Sequence, residues 1–202
     1  MSLRRELRQR RRQLSPRQQQ FASTQLLTIL ATRLEFLRVR QIAFYLASDG
    51  EIDPERLIAL AQAAGKTCYL PVLQPFTQGR LHFVRYAGDG KLQSNRFGIS
   101  EPRLRRTDIA PPWSLDMICL PLVGFDRRGH RLGMGAGFYD RTLAFKRGAR
   151  MAKPLLIGLA HSCQEVAALT PAPWDIPLDA IVTEREYIDI RASRVIGASN
   201  QE

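Results

Sequence analysis

Lysine is scarce in this chain: Lys66, Lys91, Lys146 and Lys153 are the only four among 30 basic residues, so 26 are arginine. Its cationic chemistry is therefore guanidinium chemistry, a planar fork of donors that matches phosphate and carboxylate. Cysteine is also sparse. Cys68, Cys119 and Cys163 are far apart and lack CxxC spacing, which argues against a disulfide framework and a structural zinc; each reads as a small buried apolar side chain. No run of 18 apolar residues occurs, and the opening is polar and arginine-rich, so neither a membrane span nor a secretory signal fits. A soluble, cytoplasmic protein is expected. There is no internal repeat and no low-complexity tract beyond that basic opening. No Gly-Lys-Ser/Thr closes a phosphate loop before a helix, because Gly65-Lys66-Thr67 leads into a strand, and no GxGxxG directly follows a strand.

What is present suits one core. The 202 residues are 45% hydrophobic, and a single α/β domain spanning residues 1–202 is expected. Of the net charge of +11, residues 1–17 supply +6, from seven arginines against Glu6. The excess favours an anionic partner: nucleic acid, nucleotide or polycarboxylate. Leu3, Leu7 and Leu14 share a helical stripe among arginines, and Ser15-Pro16 has the chemistry of a second helix start, over roughly 16–34, with Phe21, Leu27, Leu30 and Leu34 inward. An N-terminal helical hairpin is predicted. The period then changes. Ile42–Leu46 reads as a strand buried on both faces, Asp53-Pro54 starts a helix that Gly65 ends, and Thr67–Leu73 is the next strand. Leu81–Tyr86 alternates like an antiparallel strand, while Met117–Val123, Pro154–Ala160 and Ala180–Thr183 are buried strands, with a helix near Tyr139–Lys146. The fold class is α/β, a mixed, mostly parallel sheet flanked by helices, with sites expected at the carboxyl ends of strands.

The stretch richest in chemistry runs from Gly124 to Arg141, after a buried strand and before a helix. Gly133, Gly135 and Gly137 alternate there, with Arg127, Arg128 and Arg131 upstream and Phe138, Tyr139 and Asp140 downstream. Such a segment can bring successive backbone N–H groups to a phosphate chain. It can also simply turn the chain. None of His82, His130 and His161 has triad-like company in sequence, Trp113 and Trp174 read as structural anchors among prolines, and Arg5, Arg10, Arg11, Arg12 and Arg17 read as a solvated face.

From Phe125 to Arg141 the pattern FDxxGxRLGxGxGFYDR resembles the signature of the 5-formyltetrahydrofolate cyclo-ligase (5,10-methenyltetrahydrofolate synthetase) family. The LRRELRQRRRQLS opening, Ser48–Asp53, Gly65–Pro71, Phe97–Pro102, Leu120–Phe125 and Asp179–Glu184 extend the likeness over most of the chain. The resemblance implies closure of the N5-formyl group of 5-formyltetrahydrofolate onto N10, with ATP and Mg2+, releasing ADP and phosphate. It implies an ATP site from Arg4, Arg8, Arg131, Gly133, Met134, Gly135, Ala136, Gly137, Phe138 and Tyr139, with Arg131 and Tyr139 catalytic. Folate would meet Leu46, Glu51 and Phe97, with Glu101 as a further contact or a turn cap, and the metal would meet Asp140 and Asp179. Met134 and Ala136 depart from the family, where Arg, Lys or Gly is frequent, and Arg4 stands where lysine is frequent. The alternatives remain a helix-start charge for Asp140, a turn before a strand for Asp179 and core packing for Phe97. The implied partner is the folate, with or without a polyglutamate tail, with no membrane or nucleic acid and a monomeric state as the expectation. An RNA-binding protein using its basic start is the reading from another class; a nicotinamide-dependent oxidoreductase fits worse.

Overall fold

The computed structural model describes residues 2–74, 79–88, 92–95, 98, 100–147 and 153–192. Helix α1 (Leu3–Arg12) is amphipathic and buries Leu7. Helix α2 (Pro16–Ala31) starts with a capping box: Ser15 Oγ accepts the Gln18 N–H at 3.3 Å, and Gln18 Oε1 accepts the Ser15 N–H at 2.8 Å. The two helices follow one another across the turn at residues 13–15, Gln19 of α2 donating to Arg11 O of α1 at 3.3 Å, with α1 resting on the turn at Ser162–Gln164 and α2 packing against α4 (Glu55–Ala63). Helix α2 is also rotated from its expected phase. Ala22, Ser23, Leu26 and Leu30 face inward, whereas Phe21 is exposed, and Leu34, also exposed, belongs to a separate short helix α3 (Leu34–Arg38).

The strands are β1 (Gln41–Ala43), β2 (Thr67–Leu73), β3 (Leu81–Tyr86), β4 (Leu92–Ser94), β5 (Ser100–Pro102), β6 (Ile109–Ala110), β7 (Met117–Pro121), β8 (Gly124–Phe125), β9 (Arg131–Leu132), β10 (Leu155–Leu159), β11 (Ala180–Val182) and β12 (Tyr187–Asp189), with helix α5 (Phe138–Thr142) between β9 and β10. Eight of these strands form one sheet in the order β12-β11-β10-β7-β1-β2-β3-β6. The five central strands, from β11 to β2, are parallel, and antiparallel strands finish both edges.

Alternation along the central strands explains why the sheet carries two apolar layers. Ile42, Met117, Cys119, Ile157, Leu159, Ala180 and Val182 join Leu26, Leu30, Phe36 and Leu57 on one face. Ala43, Ile118, Leu120, Leu156 and Ile181 join Phe83, Phe125, Leu143 and Leu178 on the other. Trp113 and Trp174, read as structural anchors, are both exposed, Trp113 meeting Phe145 edge-on with ring centroids 6.1 Å apart. Among the described residues no helix is long and apolar enough to cross a membrane.

The chain order fixes where a ligand can sit. From β1 the chain steps to β2 and β3 on one side, then returns to β7 on the other side of β1 and continues through β10 and β11. At such a switch point the loops leaving two neighbouring parallel strands part and open a crevice at their carboxyl ends. The loop after β1 carries Asp49 and Glu51, and the segment after β7 carries the glycines.

Candidate active site at the switch between two parallel strands

The β7 segment first folds into the β8–β9 hairpin, whose turn is organised by one carboxylate. Asp126 is fully buried; its Oδ1 accepts the N–H groups of Arg128 (3.0 Å) and His130 (3.1 Å), and its Oδ2 accepts the Leu169 N–H (2.9 Å) and meets the Arg128 guanidinium and His130 Nδ1, each at 3.0 Å. Burial pushes this carboxyl up, but those donors overcome it and hold it at about 2. His130 is thereby tied to the turn. Arg131 leaves the hairpin buried, with 7% of its side chain exposed, and pairs with Asp140 Oδ1 and the Ile176 carbonyl. Burial lowers its pKa while Asp140 opposes the shift.

Residues 133–136 follow on the surface. Gly135 and Gly137 have φ of 100° and 65°, a backbone region that costs side-chain-bearing residues energy, and Gly137 is the N-cap of α5. Two carbonyls of this loop accept from arginine side chains. Arg4 Nε donates to Gly133 O at 2.7 Å, and Arg141 donates to Ala136 O and, at 2.8 Å, to Gly79 O. The amides point elsewhere: among the described residues no acceptor takes the N–H of Gly133, Met134, Gly135, Ala136 or Gly137. Phe138 and Tyr139 begin α5, and Tyr139 lies near Glu51, Arg131 and Cys119, its phenol pushed up chiefly by burial.

Across the crevice, Glu51 Oε2 accepts the Ser48 N–H at 3.1 Å, and Glu51 Oε1 lies 3.5 Å from Arg11 Nη2. Burial raises the Glu51 pKa against the pull of Arg11. Leu46 is half-buried against the helix-side apolar layer. Glu101 is buried and accepts the Asn95 side-chain N–H at 2.9 Å, the behaviour of a local cap. Phe97 lies outside the described residues.

Arg11 differs most from expectation. It is not on a solvated face: its side chain is fully buried, donating through Nε to Asp49 O, through Nη1 to Leu122 O and through Nη2 to Asp49 Oδ2, each at 2.8 Å. It thus bridges the loops that leave β1 and β7. Arg8 Nε also reaches Asp49, at 2.8 Å, so it faces the β1 loop and not the glycines, and Arg12 pairs with the same carboxylate. Burial would raise the Asp49 pKa, but the hydrogen bonds from Arg8, Arg11 and Arg12 hold it at about 2. Arg5, Arg10 and Arg17 are exposed as read. Sequence reasoning assigned no role to Arg11, Asp49, Asp126 or Arg141. Asp49-Gly50, a turn-forming pair beside a glutamate, was the available signal.

Of the two metal candidates, Asp140 uses Oδ1 for Arg131 and the Ile176 N–H, and Asp179, just before β11, uses Oδ2 for the Leu156 N–H at 2.9 Å and Lys146 at 3.4 Å. They share no hydrogen-bond partner. Each has a second oxygen that takes no side-chain bond among the described residues, and no cluster of three or more His, Cys, Asp or Glu side chains suited to a metal occurs among those residues. One or two available carboxylate oxygens suit a hard cation that keeps most of its waters.

The 5-formyltetrahydrofolate cyclo-ligase family model matches residues 1–184. The chain is 45% identical over 177 residues to the 5-formyltetrahydrofolate cyclo-ligase of Escherichia coli strain K12, covering 88% of this chain and 96% of that protein. It is 40% identical over 176 residues to the enzyme of the same name from Haemophilus influenzae, covering 87% and 92%. Its fold is similar to that of the solved 5,10-methenyltetrahydrofolate synthetase of Aquifex aeolicus, with a TM-score of 0.78, 30% identity and coverage of 94% of this chain and 91% of that one. The turn after β1 that carries Glu51 and the arginine-braced glycine loop after β7 thus stand on a chain that belongs to the 5-formyltetrahydrofolate cyclo-ligase family.

Proposed function

We propose that this enzyme converts 5-formyltetrahydrofolate to 5,10-methenyltetrahydrofolate with consumption of ATP. The observation that carries the reading is the glycine loop, exposed from Gly133 to Ala136, whose amides from Gly133 to Gly137 meet no acceptor among the described residues, held beside the Arg4 guanidinium.

The chemistry explains why such a loop is needed. A formamide carbonyl is a poor electrophile, and its oxygen leaves slowly near neutral pH. Transfer of the γ-phosphoryl group of ATP to that oxygen makes it part of a phosphate leaving group. The N10 lone pair then forms the new C–N bond as the C–O bond breaks and phosphate leaves, and the proton on N10 is released to solvent. Phosphoryl transfer draws mainly on positioning and charge stabilisation, so guanidinium groups and backbone N–H donors supply most of what the protein must give.

In this reading Gly133, Met134, Gly135, Ala136, Gly137, Phe138 and Tyr139 hold the triphosphate with Arg4, while Arg8, paired with Asp49, serves the β1 loop instead. Because Met134 and Ala136 offer no charge, the main chain carries more of the grip. Arg131 and Tyr139 face the reacting groups, Glu51 accepts paired donors from the pterin edge, and Leu46 and Phe97 supply apolar walls. Magnesium, when bound, would neutralise charge on the phosphates, with Asp140 and Asp179 each offering one carboxylate oxygen.

The direct test mixes pure protein with magnesium ATP and 5-formyltetrahydrofolate and follows the near-ultraviolet absorbance of the methenyl product. A rise is expected; no rise from folded protein overturns the reading. For the metal, Asp140→Asn and Asp179→Asn are each expected to raise the magnesium concentration needed for half-maximal rate. An unchanged requirement in Asp179→Asn would confine that residue to its bond with the Leu156 N–H.

A further inference from the structure

Asp49 is the only described residue other than glycine with a positive φ, at 53°, and Gly50 follows at 74°. With the Glu51 N–H donated to Ser48 O at 2.9 Å, residues 48–51 form a tight turn whose two central residues are both left-handed, for which Asp-Gly is a favoured pair. This turn works in two directions. Its backbone sets Glu51, which accepts the Ser48 N–H, while the Asp49 carboxylate faces α1 and gathers Arg8, Arg11 and Arg12. Gly50 is pressed against the same helix: a Cβ there would lie 3.2 Å from Arg11 O. Gln19 Nε2 stitches the contact, donating to Arg11 O at 3.3 Å and Gly50 O at 3.2 Å.

At its other end α1 places Arg4 on the glycine loop, with Nε 2.7 Å from Gly133 O. Arg4 and Arg11 are seven residues, about two turns, apart on one stripe of a rod about 15 Å long. One rigid element therefore touches both walls of the crevice, and Arg11 is held between Asp49 and Glu51 themselves.

We propose that Asp49 is a positioning residue that couples the two ligand sites through α1. Fixing Glu51 with a folate fixes the turn and hence the seat of α1, which sets Arg4 over the loop for the nucleotide. By linkage the nucleotide must favour folate by the same factor. Asp49 itself touches neither ligand. The inference rests on the function proposed above.

The test measures the affinity of the full-length chain for a non-hydrolysable ATP analogue with magnesium, with and without saturating 5-formyltetrahydrofolate. In the unmodified protein folate should tighten analogue binding about 10-fold, and the analogue should tighten folate equally. Asp49→Asn keeps the side-chain shape and a residue type that accepts the left-handed backbone, but removes the charge that holds the arginines. There the ratio should fall to within about 2-fold of unity, whereas loss of mere structural support would weaken both ligands and leave the ratio intact. The same ratio in both proteins, or no coupling in the unmodified one, overturns the proposal alone. Failure of the unmodified protein to bind either ligand overturns the functional reading with it. Should Asp49→Asn not fold, hydrogen exchange of the unmodified protein decides: folate alone should slow the amides of residues 3–12, and unchanged rates there overturn the coupling.

Discussion

Asp126→Ala is expected to melt about 10 °C below the unmodified protein at neutral pH, with the gap narrowing as the solution is acidified toward pH 2. Truncation strands the N–H groups of Arg128, His130 and Leu169 that the fully buried Asp126 carboxylate accepts, and loss of one partner from a buried charged network costs about 3–5 kcal/mol. At this chain length each kcal/mol moves the melting temperature by roughly 2–4 °C. The pH dependence follows from the carboxyl being held at about 2 in the folded state, against an ordinary value of 3.8. A depressed group contributes stability that is fully present above its unfolded pKa and is lost as pH falls through the folded one, here about 2 kcal/mol. Asp49, also held at about 2, adds a second loss in the same window, between about pH 4 and 2. Glu51 runs the other way: raised by burial, it favours the folded state below its unfolded pKa, and that contribution is lost as pH rises through its folded value. Thermal melts of both proteins from pH 2 to 7 check this. Equal melting temperatures at neutral pH would mean that the hairpin turn does not depend on the carboxylate.

Where the sequence carries a period, the elements emerge from it closely. β2 and β3 occupy the residues expected of them, β3 through its alternation, and β10 and β11 begin and end within a residue of expectation, because continuous apolar runs bounded by polar residues have one buried-sheet solution. Strands such as β8, β9 and β6 are two residues long and hold no period at all. α2 shows the limit for helices: its apolar residues extend around more than one face, so the choice between Leu26 and Leu27 as the inward residue waits on the α4 surface. The glycine loop was legible because glycine restricts nothing locally and its repetition needs a reason. Arg11 was not. In sequence it is one of three consecutive arginines, and only the return of the β1 loop and of Leu122 to the same point makes one of them the buried bridge while its neighbours face water or the surface. Its place on the Leu3–Leu7–Leu14 stripe, four residues after Leu7 and three before Leu14, is the signal within the sequence, but the partners that make it a bridge are 38 and 111 residues away. The same limit hid Asp126, a single aspartate whose Leu169 donor lies 43 residues further on.

Arg131→Met is expected to lower kcat by about 10²–10³-fold, the scale for removing one pre-placed charge stabiliser from a transition state. It should also cost about 3 kcal/mol of stability, because it leaves Asp140 beside a buried site without its cation. The two losses have different causes and can be separated. Pairing Arg131→Met with Asp140→Asn removes both charges, so stability should recover by most of what the single substitution cost, since the pair's own net contribution is small once neither partner is stranded. Activity should not recover. A guanidinium that only braces the hairpin against α5, through Asp140 and the Ile176 carbonyl, would instead regain rate along with stability. Arg131→Lys sharpens the contrast: an ammonium keeps the charge near Asp140 but lacks the fork needed to hold that carboxylate and the Ile176 carbonyl at once. It should be nearly as stable as the unmodified protein and still at least about 10-fold slower at saturating ATP. Melting curves and steady-state rates of the three variants, measured on the same preparations, decide between a residue that meets the transferring phosphoryl group and one that only holds the loop in place.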